Sequence, residues 1–362
     1  MRTNALDYDL PERLIATSPA EPRDSARLMV IHRETEQIEH RWVRDLPELD
    51  IFRDGDLMLV NQTAVLPAYL EGVRESTGGR VTGLYLGSAD ATHWDVLFET
   101  RGRLTPGERV VLDTVASLEL IEKGERGRWR VRLEADQPTP RVLERVGQTP
   151  LPPYIRRQRR KLGLAEVGAS DQQRYNTVYA EQGGSVAAPT AGLHFTPQLL
   201  GRLQALGMGR AAVDLHVGMG TFEPVRSEAL QDHAMHEETF SVSRPTLAQI
   251  ADCRARGGRI LAVGTTTVRA IESLPADVLA EHNATHDRGY AGSTRLFIHP
   301  EAGFTFRYTD CLMTNFHLPR STLLALVASL PGVGLDRLQA WYREAVDRGY
   351  RFYSYGDAML IV

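Results

Sequence analysis

Residues 183–222 include GSVAAPTAGLHFT (Gly184–Thr196) and LHVGMGTF (Leu215–Phe222), two glycine-rich segments on either side of one predicted helix. That helix, PQLLGRLQALG, begins after an N-cap at Thr196 and ends at Gly207. Glycine allows a ligand to approach the main chain closely, and Thr and His side chains form hydrogen bonds as donors and acceptors. A single loop of this kind is more often a tight turn between buried strands. Two such loops around one helix, each with His and Thr, favour a polar site.

Strands and helices alternate after this stretch. RILAVG (Arg259–Gly264) is an apolar strand that runs into the helical pattern TTTVRAIESL, and TDCLMTNF (Thr309–Phe316) is another strand, followed by helices near 321–329 and 335–347. Such alternation predicts an α/β domain. The glycine-threonine turn before the TTTVRAIESL helix suits an anion or a ribose, because a helix N-terminus presents unpaired N–H groups.

Between Gly72 and Pro150 the sequence changes to short β-favouring runs separated by turn residues. The runs are VTGLYLG (Val81–Gly87), WDVLFE (Trp94–Glu99), RVVLD (Arg109–Asp113), SLELI (Ser117–Ile121) and WRVRLE (Trp129–Glu134). Several short strands at this spacing predict a small barrel or sandwich. We therefore expect a mixed α/β (α+β) fold. A larger α/β domain (residues 1–62 and 150–362) carries an inserted, smaller all-β barrel domain (residues 63–149).

The composition is that of an ordinary soluble globular protein, with 362 residues, 42% hydrophobic and 24% charged. The sequence lacks an apolar run long enough to cross a bilayer and an N-terminal signal-peptide core, so we expect a cytoplasmic protein without a membrane partner. Cys253 and Cys311 are the two cysteines, too few for a disulfide framework or a cysteine zinc cluster. The net charge of −4 argues against a protein covered in positive charge for nucleic acid, but leaves room for a local basic patch.

A local basic patch does occur, in IRRQRRK (Ile155–Lys161). A run of charges is usually a solvated face. Its position just before the glycine-rich stretch makes contact with RNA phosphates the main competing interpretation. The candidate RNA-binding residues are Arg156, Arg157, Arg159, Arg160 and Lys161.

Histidines are concentrated after residue 190, and five of them lie in or beside turns rich in Gly, Pro or Thr: His194, His216, His233, His236 and His317. A lone His is more often structural, but five in such contexts indicate that one or two act as acid, base or ligand contact. His233 and His236 in DHAMHEE would share one helix face with Glu237 nearby, which keeps a metal site open as a minor alternative. The spacing is not H-E-x-x-H, and we expect no metal.

The sequence lacks three widespread catalytic motifs. It contains no Walker motif and no G-x-G-x-x-G fingerprint, and no G-x-S-x-G nucleophile elbow. These absences argue against an NTPase, a Rossmann dehydrogenase and an α/β-hydrolase. The residues alone therefore predict a two-domain enzyme with a polar pocket lined by Thr, His and Gly, and leave the substrate open.

Nine phrases resemble, in the same order, the signature segments of the S-adenosylmethionine:tRNA ribosyltransferase-isomerase family of the queuosine pathway. They are DYDLPERLIA, EPRDSARL, PLPPYI, RYNTVYA, GSVAAPTAGLHFT, LHVGMGTF, VGTTTVRAIES, TNFHLPRSTLL and YRFYSYGDAMLI, and they span essentially the whole chain. The resemblance implies an α/β domain paired with a β-barrel domain. It also implies a monomeric enzyme that uses S-adenosylmethionine as a ribosyl donor, hence a co-substrate rather than a cofactor. The implied acceptor is tRNA that carries 7-aminomethyl-7-deazaguanine at the wobble position, and the implied product is epoxyqueuosine-tRNA, with release of adenine and methionine.

The implied chemistry needs a base for the 5′ carbon beside the sulfonium, a donor for the leaving adenine and a neutral attacking amine. The candidates for proton transfer are His194, His216 and His317, with Asp357 as a carboxylate alternative. The candidates for binding the ribose, base, carboxylate or sulfonium of the substrates are Thr190, Thr221, Thr265, Thr266, Arg269, Asn315 and Tyr355.

The sequence departs from the family pattern at Asn61–Ala64, which reads Asn-Gln-Thr-Ala where the family usually has Asn-Asp-Thr-Arg. If the missing acid and arginine contacted substrate, this chain needs replacements; if they formed a structural ion pair, losing both together is tolerable. Tyr69 also stands where an arginine is expected. Two alternatives therefore remain beside the enzyme: an RNA-binding homologue without catalysis, and a metal-dependent hydrolase built on His233 and His236.

Overall fold

The computed structural model describes residues 1–218, 225, 227–279 and 289–362. The chain forms two compact units. The first comprises Met1–Ala64, Arg157–Leu164 and Asn176–Val362, and the second comprises Val65–Arg156 and Ala165–Tyr175. In the described part of the chain, no helix is both long and apolar enough to cross a membrane.

The first unit is built on a nine-stranded mixed sheet. In order across the sheet, its strands are β16 (Tyr290–Thr294), β14 (Glu238–Val242), β13 (Gly209–Leu215), β3 (Leu57–Asn61), β15 (Ile260–Val263), β17 (Cys311–Asn315), β18 (Ala358–Ile361), β1 (Arg27–Ile31) and β2 (Ile38–Trp42). β13, β3, β15 and β17 run parallel to one another. Their carboxyl ends therefore lie along one edge of the sheet. β18 is antiparallel to β17, with Ala358 opposite Asn315, so the segment before β18 reaches the same edge.

We call this edge, formed by the residues that follow β3, β13, β15 and β17 and precede β18, the carboxyl edge. The central strands are buried on both faces, which explains their nearly continuous apolar sequences LMLV, ILAV and CLMT. Side chains of β1, β3, β15, β17 and β18 on one face form a core with the helix predicted after Thr196.

Five longer helices belong to this unit: α4 (Pro197–Ala205), α5 (Arg244–Ala255), α6 (Thr265–Glu272), α7 (Thr322–Ala328) and α8 (Leu335–Asp347). The predicted N-cap of α4 is confirmed, because Thr196 Oγ1 accepts the Leu199 N–H at 3.2 Å. α6 follows Gly264, whose φ of 92° is readily adopted by glycine and rarely by other residues. Two further elements are α2 (Pro153–Lys161), whose residues are divided between the two units, and a two-stranded ladder of β4 (Thr63–Val65) with β12 (Gln182–Ser185).

The second unit contains an antiparallel barrel. Its strands are β5 (Tyr69–Arg74), β6 (Arg80–Ser88), β7 (His93–Thr100), β8 (Arg109–Val111), β9 (Ala116–Lys123), β10 (Arg128–Ala135) and β11 (Gly147–Gln148), accompanied by α1 (Thr139–Val146) and α3 (Asp171–Arg174). Six strands close in the order β5-β6-β7-β10-β9-β8, with β8 pairing back to β5, and β11 adds to β5. Side chains alternate strictly along β10, where Trp129, Val131 and Leu133 point inward.

The predicted fold class, a larger α/β domain with an inserted all-β barrel, is confirmed. The sequence does not predict β2, β14 and β16. These strands lie at the two sides of the large sheet and carry exposed polar residues, so they lack the apolar runs that identify the central strands.

Candidate active site

The carboxyl edge brings together predicted site residues that are far apart in the sequence. His216 directly follows β13, Thr265 and Thr266 follow β15, Asn315 ends β17, and His317 lies two residues beyond it. β3 lies between β13 and β15, so the next two parallel strands in the sequence lie on opposite sides of it. In open α/β sheets ligands bind outside the carboxyl ends of the strands at such a switch point.

A cavity of about 50 Å³ lies at this edge, and its lining includes Thr190, Thr265, Thr266, Thr314 and His317. Whole small-molecule ligands occupy pockets of roughly 300–1,000 Å³. The cavity as it stands therefore admits one small polar group of a larger ligand. Four threonine hydroxyls and one imidazole give such a group donors and acceptors on several sides.

His317 is the titratable side chain in the lining of this cavity. Its Nε2 lies 3.1 Å from Thr314 Oγ1, and its Nδ1 is buried without a hydrogen-bond partner among the described residues. Burial lowers the pKa of His317 to about 3, so the ring is neutral near pH 7. If Nε2–H donates to Thr314, Nδ1 keeps a lone pair that can accept a proton or a hydrogen bond.

His194 is also buried, but its Nε2 is occupied. Asn315 Nδ2 lies 3.1 Å from His194 Nε2, and it also lies within 3.4 Å of the carbonyl oxygens of Tyr353 and Asp357. These carbonyl acceptors fix the orientation of the amide, so Nε2 accepts and the proton of the neutral ring is on Nδ1. Burial, with smaller contributions from Arg351 and Arg23, lowers the pKa of His194 to about 3.

The third predicted histidine, His216, packs its ring against Gly184. A Cβ at Gly184 would lie 2.5 Å from His216 Cε1, so glycine is required for this contact. The backbone N–H of His216 donates to Thr239 O, which continues the pairing of β13 with β14. His216 Nδ1 is buried and has no partner within the described part of the chain.

Two charged candidates are already engaged with other residues of this chain. Asp357 is 2% exposed, and its carboxylate accepts the Arg351 N–H at 2.8 Å and the Arg27 N–H at 3.1 Å. Arg269, 3% exposed, forms a buried ion pair with Glu238. Both contacts favour structural roles, and substrate contact by Asp357 or Arg269 stays a prediction.

The other candidates are placed as follows. Thr190, Thr265 and Thr266 line the cavity, and Asn61 Nδ2 lies 3.5 Å from Thr266 Oγ1. Tyr355 is 2% exposed. Thr221 lies outside the described residues.

The basic segment of α2 contains residues in quite different environments. Arg159 is 8% exposed and donates to Thr17 O at 2.9 Å, which removes most of its side chain from solvent. The Arg156 guanidinium lies 4.3 Å from the centre of the Tyr69 ring. Lys161 pairs with Glu12 and is exposed, as are Arg157 and Arg160. The exposed positions are therefore Arg157, Arg160 and Lys161.

The helix expected to carry His233 and His236 is not formed. A short 3₁₀ turn covers Leu230–Asp232, and residues 233–237 have no helical structure. The prediction of a shared helix face is therefore wrong, because no helix follows the 3₁₀ turn in this segment. Among the described residues, no three His, Cys, Asp or Glu side chains form a group that could hold a metal ion.

Sequence reasoning missed two polar side chains near the end of β3 and β13. Asn61 bonds both the N–H and the C=O of Leu215, at 3.3 and 3.0 Å, and so fixes the end of β13 against β3. Asp214 is buried within β13, with one carboxylate oxygen that lacks a partner among the described residues. The sequence signal that could have identified Asp214 is an acidic residue inside the otherwise apolar strand AAVDLHV.

Comparisons with known proteins agree over the full length of the chain. A family model described as "Queuosine biosynthesis protein" matches residues 3–361. A protein of Gloeobacter violaceus named S-adenosylmethionine:tRNA ribosyltransferase-isomerase is 47% identical over 362 residues, covering 99% of this chain and 96% of that protein. A protein of the same name from Symbiobacterium thermophilum is 46% identical over 363 residues, covering 100% of both. The crystal structure of S-adenosylmethionine tRNA ribosyltransferase from Thermotoga maritima is similar with a TM-score of 0.53 and 35% identity, over 99% of this chain and 100% of that one.

Proposed function

Because the chain belongs to the queuosine biosynthesis family of tRNA-modifying enzymes, we propose that it is an S-adenosylmethionine:tRNA ribosyltransferase-isomerase. In the proposed reaction the ribosyl group of S-adenosylmethionine is transferred and isomerised onto 7-aminomethyl-7-deazaguanine at the tRNA wobble position. Epoxyqueuosine-tRNA forms, and adenine and methionine leave. S-adenosylmethionine is a co-substrate, the proposal includes no further cofactor, and the enzyme acts as a cytoplasmic monomer. The family match over residues 3–361 carries this proposal.

The geometry of the carboxyl edge supports a proton-transfer site. The reaction requires a base that removes a proton from the carbon beside the sulfonium, and the base must be unprotonated when the substrate binds. His317 is neutral because burial lowers its pKa to about 3, and its Nδ1 has no partner among the described residues. We assign His317 as the first candidate for the base.

His194 has a different part in the proposal. Its Nε2 accepts the Asn315 amide at 3.1 Å, so that lone pair is not available for a substrate proton. Its Nδ1–H is a donor, and a donor suits the nitrogen of a leaving adenine. His216 Nδ1 has no partner in the described part of the chain, and the His216 ring contacts Gly184 of the first glycine-rich segment, which makes His216 the alternative base.

The RNA phosphates would contact the exposed basic residues of α2. Arg157, Arg160 and Lys161 are exposed, whereas Arg159 is committed to Thr17 O. Charge reversal at Arg157 and Arg160 should weaken tRNA binding and reduce its salt dependence, because fewer counterions are released. Binding isotherms between low and physiological salt measure this slope. A slope equal to that of the wild type would place the RNA contact on another surface.

The direct test of the proposed function is adenine release. Purified protein is incubated with S-adenosylmethionine and tRNA that carries the aminomethyl base, and adenine is quantified by chromatography. His317→Gln should reduce the rate by ~10²–10⁴, the usual contribution of a positioned acid or base. Wild-type protein that binds this tRNA yet releases no adenine would instead support an RNA-binding homologue without catalysis.

A further inference from the structure

Asp214 is a buried carboxylate that neither the sequence motifs nor the proposed mechanism assigns. It is 9% exposed, and its Oδ2 lies 3.4 Å from Gln62 Nε2 and 3.5 Å from Ser241 Oγ. Its Oδ1 is buried without a hydrogen-bond partner among the described residues. A buried carboxylate oxygen without a partner is costly to retain, so such an atom calls for a ligand or another explanation.

The position of Asp214 places it in the site. It lies in β13 between Val213 and Leu215, which are both fully buried, and it opposes Ser241 of β14. Two residues on, His216 continues the same ladder through its N–H bond to Thr239 O. Alternate residues of a strand face the same side, so Asp214 and His216 point to one face at the carboxyl edge.

Two unpartnered polar atoms therefore meet on this face. Asp214 Oδ1 can accept a hydrogen bond, and His216 Nδ1 can accept or donate one; neither has a partner among the described residues. Alternate residues of a strand are about 6.6 Å apart, so one ligand group that reached this face could contact both side chains. Burial raises the pKa of the Asp214 carboxyl, so it takes up a proton more readily than an exposed aspartate does.

We propose that Asp214 is a further substrate-binding residue, whose Oδ1 accepts a hydrogen bond from the amine of the acceptor base. This inference rests on the proposed function. The amine nitrogen then lies within reach of His216 Nδ1 as well. Gln62 and Ser241 position the carboxylate by donating to its other oxygen.

Gln62 reaches the same carboxylate from the position directly after β3. Its Nε2 lies 3.4 Å from Asp214 Oδ2, although the two residues are 152 positions apart in the sequence. A carboxylate placed at position 62 would therefore lie close to the one that Asp214 supplies.

Exchange of the carboxylate between the two strands tests the proposal. Asp214→Asn should lower kcat/KM for the modified tRNA by ~10–100-fold, the loss expected for one hydrogen bond to a charged group. Gln62→Asp combined with Asp214→Asn returns a carboxylate from the other strand and should recover most of that loss. Asp277→Asn, a change at an exposed carboxylate far along the sequence, is the matched control and should keep the wild-type rate.

Three outcomes would decide the matter. Asp214→Asn protein that unfolds like the wild type and keeps its full rate overturns the proposal, and so does a folded double variant that stays as slow as the single one. If Asp214→Asn does not fold, Asp214→Thr is measured in its place, because threonine is favoured in strands. Wild-type protein that releases no adenine refutes the proposed function itself, a result distinct from wild-type activity that Asp214→Asn leaves intact.

Discussion

Lowering the pH from 7 to 5 should destabilise the protein through His194 and His317. Both rings are buried, at 5% and 8% exposure, and burial lowers the pKa of each from 6.5 to about 3. In the unfolded chain these histidines bind protons as the pH falls through 6.5, whereas in the folded protein they stay neutral until about pH 3. The unfolded state therefore binds more protons in this window, and the free energy of unfolding falls as the pH falls.

The size of the effect follows from the two pKa values. At pH 5 an unfolded histidine with a pKa of 6.5 is almost fully protonated, and its folded counterpart with a pKa of about 3 is almost fully neutral. The difference of roughly 1.5 pH units between 6.5 and 5 corresponds to about 2 kcal/mol for each histidine. Both together lower the free energy of unfolding by about 4 kcal/mol, a large part of the typical stability of a domain.

Urea unfolding at several pH values between 7 and 5 measures this loss of stability. Substitution of one histidine at a time separates the contributions of the two rings. His194→Gln and His317→Gln each remove one titrating group and keep an amide that can form hydrogen bonds. Each variant should lose about 2 kcal/mol less than the wild type between the two pH values. His236→Gln, at an exposed position, controls for the effect of the substitution itself.

Parallel curves of unfolding free energy against pH for the wild type and both variants would contradict the expected effect of the two buried rings. They would mean that the rings are protonated as readily in the folded protein as in the unfolded chain. A smaller dependence of the unfolding free energy on pH in His317→Gln but not in His194→Gln would mean that the effect comes from His317 alone. Asp214, whose pKa burial raises, acts in the opposite direction, which is why the comparison between variants matters more than the wild-type slope alone.

Three further predictions concern stability and reactivity. Arg269→Met should cost about 3–5 kcal/mol in urea unfolding, because it removes the guanidinium that pairs with the buried Glu238 carboxylate, and adding Glu238→Gln should recover part of that loss. Thr196→Ala should cost about 1 kcal/mol through the lost N-cap of α4, and a Thr196→Ser variant should behave almost as the wild type does. Burial raises the pKa of Cys311 to about 11 and also raises that of Cys253, so a thiol reagent at pH 8 should label neither in folded protein and both in urea; rapid labelling without urea would contradict their burial.

Local signals predicted much of the fold. The N-cap at Thr196 and the glycine turn at Gly264 came directly from residue type, since each supplies a hydrogen bond or a backbone angle that few other residues provide. The barrel strands followed from alternation and turn residues, because a half-buried strand requires apolar side chains on one face. The strands at the two sides of the sheet were not predicted, because their exposed polar residues interrupt the apolar runs that identify the central strands.

The sequence predicted which residues belong to the site better than it predicted which of them contact one another. Motif resemblance pointed to His194 and Asn315, but their contact joins positions 121 residues apart and depends on the order of strands in the sheet. The contact of Gln62 with Asp214 and the ion pair of Arg269 with Glu238 also depend on the order of strands in the sheet. Residue type suggested that Arg269 binds a carboxylate of the substrate. In the structure the carboxylate that it binds belongs to Glu238 of the same chain.

Helical spacing within the basic segment predicts which of its residues are buried, in more detail than the run of charges does. Ile155 and Arg159 are four residues apart, so in a helix they share one face, and both are buried. Arg157 and Arg160 lie on other sides of the helix and remain exposed. Helical periodicity within the run therefore separates the exposed arginines, which are the candidates for RNA contact, from the one that packs against the protein.

The depressed pKa of the site histidines has a consequence for the proposed reaction. Neutral rings do not repel the positive sulfonium of the donor, whereas two imidazolium ions would oppose its binding. The same burial makes His317 a weaker base than an exposed histidine, because its protonated form is disfavoured. In the proposed reaction the Nδ1–H of His194 remains the donor for the leaving adenine nitrogen. Burial of the two rings thus accounts for an uncharged site before the reaction.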